Sequence, residues 1–139
     1  MKILTALLFG FSTACANALA CELQFDSGAR VPVELALSAT EQLKGLSGRQ
    51  VDAPHSMLFL WPDARGRVFW MKDTAVDLEV GFFDNELRLF AVVPMLANTR
   101  TYHYSPGPAK AALELPAGAW QRLGLRSGVR LLLDACMPM

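Results

Sequence analysis

Short apolar runs, each closed by glycine, proline or an Asx-rich turn, recur along the chain and leave room for little but a curled sheet. Val31, Val33, Leu35 and Leu37 alternate with Pro32, Glu34 and Ala36, the period-two pattern of a strand with one buried face. Strand-like runs follow at 57–61 (ended by Pro62), 68–72, 78–83, 87–93, 111–115 and 129–133. Alternation within 68–72 puts Trp70 and Lys72 on one face and Phe69 and Met71 on the other. Asp84-Asn85-Glu86 joins two runs into a hairpin. Its strands carry bulky apolar residues on both faces, so the hairpin is expected to lie centrally. Ser38 and Glu41 form a capping box for a short helix with Leu43 and Leu46 on its apolar edge, stopped by Gly45 and Gly48. Residues 119–123, ended by Gly124, predict a second helix, and 94–109, rich in proline, reads as a long loop. The fold class predicted is mainly β (a β-rich α+β protein): a compact β-barrel or rolled sheet of about seven strands with two short helices. Glu34-Leu35 and Glu114-Leu115, each followed by a short helix at the same spacing, faintly echo one another; the echo reads as a pseudo-twofold barrel or, the favoured reading, as chance similarity of two strand–helix units.

The first twenty residues stand outside that pattern. Lys2, an apolar stretch from Ile3 to Phe11, and Ala18-Leu19-Ala20 follow the plan of a secretory signal peptide. Cleavage after Ala20 removes twenty of the 139 residues and leaves 119, one domain's length, so 21–139 is expected to be a single β-barrel-like domain. Twelve basic residues then face thirteen acids, since Lys2 leaves with the signal. A balance this close to zero gives no electrostatic footprint for nucleic acid. No later run reaches the length of a spanning helix, and a monomer is expected. Cys15 departs with the signal, leaving Cys21 and Cys136 at opposite ends. In an oxidising compartment they read as a disulfide tying the termini together. The rival is a lipid-anchored Cys21, disfavoured because Ala18 stands where a lipobox usually has leucine.

Several segments carry a family resemblance: Val33-Glu34-Leu35-Ala36, Gly45-Leu46-Ser47-Gly48-Arg49, Met57-Leu58-Phe59, Phe69-Trp70-Met71-Lys72-Asp73-Thr74, Asp77 with Phe82-Phe83-Asp84, and Leu113-Glu114-Leu115-Pro116-Ala117-Gly118. In this order the chain resembles the bacterial and archaeal family known as domain of unknown function 192, over essentially its whole mature length. The resemblance implies a compact barrel-like fold, frequent export and no established activity. Ser47 stands where that family commonly has methionine, and Ser56 where it commonly has glycine.

Glu34, Arg49, Lys72, Asp77 and Glu114 are the polar residues of those blocks. Glu34 and Glu114 interrupt apolar strands, where an ionised group is costly unless paired. Both should project away from the main core face, and in a rolled sheet they would converge on Lys72 or Arg49. Two readings stay open: a polar pocket for a charged ligand, or an ion-pair network that sets strand register. Trp61, Trp70, Trp120, Tyr102, His103 and Tyr104 supply aromatic and loop surface for a groove, with Trp70 and Trp120 expected in the core. The ligand-binding candidates are thus Glu34, Arg49, Trp70, Lys72, Asp77, Tyr102, His103 and Glu114. His55, His103 and the methionines 57, 71, 95, 137 and 139 make a thin case for Cu(I), without any chelating spacing. No nucleophile elbow, phosphate loop or zinc-helix motif occurs, so no catalytic residue, metal or cofactor is assigned.

The expectation is a periplasmic or secreted, non-catalytic binding or accessory module of the cell envelope, whose partner is a small ligand or envelope component. The rivals are a small enzyme using Glu34, Asp77 and Glu114 with Lys72, a lipid-anchored protein, and a weak Cu(I) binder.

Overall fold

The computed structural model describes residues 20–137. Residues 1–19 of the expected signal peptide (1–20), with Pro138 and Met139, lie outside them. Strands β1 (Ala20–Phe25) and β2 (Arg30–Ala36) form an antiparallel hairpin, with Val31, Val33 and Leu35 buried as the alternation requires. Helix α1 (Ala39–Lys44) carries the expected capping box at Ser38 and stops at Gly45, whose φ of 50° suits glycine. The chain then crosses over to β3 (Met57–Arg65), parallel to β2. Next come β4 (Val68–Phe69), β5 (Leu78–Phe83), β6 (Leu89–Met95), β7 (His103–Tyr104), β8 (Ala109–Pro116), α2 (Ala119–Arg122) and β9 (Leu131–Leu132).

Seven of these strands form one sheet in the order β6-β5-β8-β3-β2-β1-β9, curled into a half-barrel, and β4 and β7 form a separate two-stranded ribbon. The edges of the large sheet meet at one end. Leu87 and Leu89 exchange backbone hydrogen bonds with Gly128, Val129 and Leu131 at 2.7–2.9 Å. Capping an edge in this way hides donors that would otherwise recruit another strand. Both faces of the sheet are covered. Leu23, Leu35, Leu58, Leu113 and Trp120 belong to one cluster, and Met57, Phe59, Met71, Phe82 and Met95 to the other. The methionines considered as copper ligands at 57, 71 and 95 are core side chains, at most 4% exposed. Among the described residues, no three His, Cys, Asp or Glu side chains gather to hold a metal ion, and no helix is long and apolar enough to cross a membrane.

Five local expectations are corrected. The third strand does not stop at Pro62; it continues to Arg65 through a register irregularity, the place where a sheet tolerates proline. The hairpin 78–95 is not central throughout, because β6 takes an edge of the large sheet. The 94–109 loop is shorter than its composition suggests, since β6 runs to Met95 and His103–Tyr104 pairs with Val68–Phe69. Leu43 is 85% exposed instead of forming the helix's apolar edge, and Trp70 is 43% exposed rather than core. Cys21 and Cys136 are joined in a disulfide with Cα atoms 5.2 Å apart.

Candidate functional site

Strand register creates the site. Glu34 of β2 and Glu114 of β8 are both paired with Met57 of β3, and Glu114 is paired on its other side with Val80 of β5. Residues abreast on neighbouring strands project to the same face, so the carboxylates occupy one row, two strand spacings apart. Leu113 and Leu115 on either side of Glu114 turn the opposite way, into the cluster that holds Trp120. The sheet therefore has to place Glu114 on its second face, as the alternation predicts.

The two acids have opposite fates. Arg49, from the segment after α1, holds both Glu34 oxygens, Nη1 donating at 2.5 Å and Nη2 at 2.6 Å, and Nη1 also donates to the Pro54 carbonyl at 3.1 Å. This bidentate bond holds the Glu34 carboxyl below its ordinary range. Glu114 is 4% exposed, and its Oε2 has no hydrogen-bond partner among the described residues. Burial pushes its carboxyl up to about 8, and the nearby charge of Arg49 opposes the rise without cancelling it. Desolvation wins because the Arg49 guanidinium is already spent on Glu34. At neutral pH Glu114 is thus chiefly an un-ionised acid, able to donate one hydrogen bond and accept others.

Glu114 lines a cavity of about 610 Å³ bounded by α1, β3 and the β4–β7 ribbon. Phe59, Trp61 and Phe69 form an apolar wall, with Phe59 and Trp61 stacked at 6.1 Å and Phe69 edge-on to Phe59 at 5.0 Å. Trp70 and Tyr102 stack at 6.0 Å and, with Leu43, expose a greasy rim. Gln42 pins α1 over the sheet, its Nε2 donating to the Ala36 and Leu60 carbonyls at 3.1 Å each. Three cations line the same space. Arg67 lies over the Trp61 ring at 4.1 Å, Lys72 lies 5.5 Å from the Trp70 centroid, and Lys44 closes the last turn of α1. A volume of this size, mostly apolar with a few converging polar groups, is that of a small-molecule site.

A second hollow of about 770 Å³ opens beside Ala20, the first described residue, and is lined mainly by apolar residues such as Val33, Val51 and Pro54. His55 lies in its wall, with Nδ1 2.5 Å from the Ala53 carbonyl and Nε2 buried without a partner among the described residues. Although larger, it offers weaker chemistry: the Glu34 carboxylate that lines it is already engaged by Arg49.

The structure gathers four of the sequence candidates, Trp70, Lys72, Tyr102 and Glu114, around the smaller cavity. Glu34 and Arg49 form the ion pair in the same row. Asp77 lies elsewhere, its Oδ1 accepting from the Ala97 amide at 2.8 Å as a loop staple. His103 sits in the ribbon opposite Phe69, its Nε2 buried and unpartnered among the described residues. Sequence reasoning missed Lys44, Arg67 and Phe59, and assigned Leu43 to the wrong environment. Only the exposed Leu43 had a usable signal, since an apolar residue in so polar a helix needs a reason. Nothing in the sequence announces that Arg67 bends back over Trp61.

The family model described as "Uncharacterized ACR", domain of unknown function 192, matches residues 22–133. A protein of unknown function from Novosphingobium aromaticivorans DSM 12444 has a similar crystal structure, with a TM-score of 0.70 and 28% identity, over 81% of this chain and 83% of that one. A Sinorhizobium meliloti 1021 protein, provisionally described as a transcription regulator, gives a TM-score of 0.71 and 30% identity over 81% of this chain and 91% of that one. No curated protein matches the chain. With the family model covering nearly all of the described residues, the chain belongs to the domain of unknown function 192 family.

Proposed function

We propose that this chain is an exported envelope module that binds a small organic ligand in the cavity floored by Glu114. One observation carries the reading: a carboxyl buried to 4% exposure, with Oε2 unpartnered among the described residues, lines a cavity walled by aromatic rings. A buried polar atom without a partner costs free energy, and a ligand atom that completes its hydrogen bonding recovers that cost. Export is supported by the Lys2 to Ala20 leader pattern and by the Cys21–Cys136 disulfide, a bond at home in an oxidising compartment. The same disulfide engages the Cys21 sulfur that a lipid anchor would need. The neutral charge balance offers nothing for a nucleic-acid backbone, so regulation of transcription is not carried over from the Sinorhizobium protein. Thermal-shift screening of a metabolite library against the wild type and Glu114→Met tests the reading. Hits that stabilise the wild type and fail on the variant are expected; hits equally strong on both would place the site elsewhere.

A second reading is acid catalysis, favoured by a carboxyl held near neutrality, where a general acid is most effective. It is the weaker of the two. Of the carboxylates considered for an enzyme, only Glu114 lines the cavity, Glu34 being bound to Arg49 and Asp77 to a loop amide. Glu114→Gln separates the readings, because an amide can still donate a hydrogen bond but cannot transfer a proton. Turnover of any bound compound that is lost in Glu114→Gln while binding persists would establish the enzyme.

A further inference from the structure

We infer that the Glu114 cavity is selective for an organic anion, a molecule with an apolar body and one carboxylate or comparable oxyanion. The inference rests on the ligand-site reading above and adds the charge and shape of the occupant.

The lining carries three cations and a single acid. Lys44 and Lys72 take part in no ion pair among the described residues. Arg67 is partly neutralised, with Nη2 3.6 Å from an Asp63 oxygen, and its Nε and Nη2 donate to the Ala109 and Asp63 carbonyls. It therefore serves as wall, while the two lysines supply the unspent charge.

The alternative occupant, an organic cation held by the aromatic rings, meets two obstacles. Such a ligand needs open indole faces, yet Arg67 already lies over Trp61 and Lys72 beside Trp70. It also meets net repulsion, because three cations and one acid line the space. An oxyanion meets the reverse. The un-ionised Glu114 can donate to it a charge-assisted O–H···O bond, which is shorter and stronger than a neutral one. The lysines compensate its charge, and Phe59, Phe69 and Leu43 offer an apolar lining to its body.

Isothermal titration of the disulfide-intact chain at pH 7 tests this with four probes: indole-3-acetate, its neutral amide, tryptamine and octanoate. Indole-3-acetate or octanoate should bind at least about tenfold more tightly than the amide, and tryptamine should give no heat. The two carboxylates distinguish a flat body from a chain. Lys72→Met should cut carboxylate affinity about tenfold and narrow the margin over the amide, and Glu114→Met should abolish carboxylate binding. Far-UV circular dichroism checks that each variant is folded; because Lys72 is half-buried at the cavity's edge, its variant keeps the test open if Glu114→Met misfolds. Equal or tighter binding of the amide or tryptamine would overturn anion selectivity and leave the ligand-site reading standing. Silence from all four probes would also overturn it, and the ligand-site reading would then be decided by the thermal-shift comparison of wild type with Glu114→Met.

Discussion

A folded carboxyl at about 8 against an ordinary value near 4.5 makes Glu114 a site where function and stability pull apart. Between those values the native state keeps a proton that the unfolded chain has released. Stability therefore falls as pH rises, by about 1.4 kcal/mol per pH unit, and levels off above the folded value. The full span is on the order of 5 kcal/mol. Glu114→Gln removes the titration and keeps the shape. Its melting temperature should exceed the wild type's by roughly 10–20 °C at pH 9 and by little at pH 5; an equal difference at both would contradict the burial account. Glu34 behaves oppositely. Its lowered carboxyl contributes stability that is present above about 4.5 and fades as acid protonates it. Acid well below 4.5 thus loosens the Arg49 tether, while Glu114 already holds its proton there.

At the scale of elements, the site depends on pieces too short to stand alone. A six-residue helix is marginal by itself, and α1 is held by its capping box, the Gln42 staple and the buried Leu46. On the sheet's other face, Gly81 of β5 lies against Trp120, where an added Cβ would collide with the indole ring. Gly81→Ala should therefore cost about 1–3 kcal/mol in urea unfolding by overpacking; a neutral effect would show that Trp120 can move aside. Much at this scale was legible. Alternation separated the buried Phe69 and Met71 from the more exposed Trp70 and Lys72, although only Val68–Phe69 of the expected strand 68–72 is strand, and the capping box gave α1 its start. What escaped has a common cause. β7 is two residues long and owes its existence to Val68–Phe69, far back along the chain, so no local period announces it, and the expected strand 129–133 shrinks to Leu131–Leu132 because only those residues meet β1. The same holds for Arg67, whose position is set by long-range hydrogen bonds to Ala109 and Ser105.

Over the whole molecule, the seven-stranded sheet brings the ends of the described residues together, and the disulfide closes them across a separation of 115 residues. Cys21 and Cys136 were readable as a pair because they are the cysteines left when Cys15 is assigned to the expected leader. In the chain-entropy model a loop of that length contributes up to about 4–5 kcal/mol. Reduction should lower stability by about 2–4 kcal/mol in equilibrium denaturation, the range usual for such bonds. No change on reduction would mean that the contact between the sheet edges clamps the termini unaided. The two-faced sheet has a further consequence: with one face filled by Trp120 and the leucines, a polar group on β8 has only the second face, and the cavity forms there. The sequence made Glu114 visible as an anomaly but could not say whether it would be paired, because Arg49 reaches the row from a loop.

The most direct test of this account is native mass spectrometry of the unreduced protein purified from its own host, wild type beside Glu114→Met. The cavity reading predicts a non-covalent added mass on the wild type that is lost on denaturation and absent from the variant. A bare wild-type mass, or the same added mass on both proteins, would contradict it.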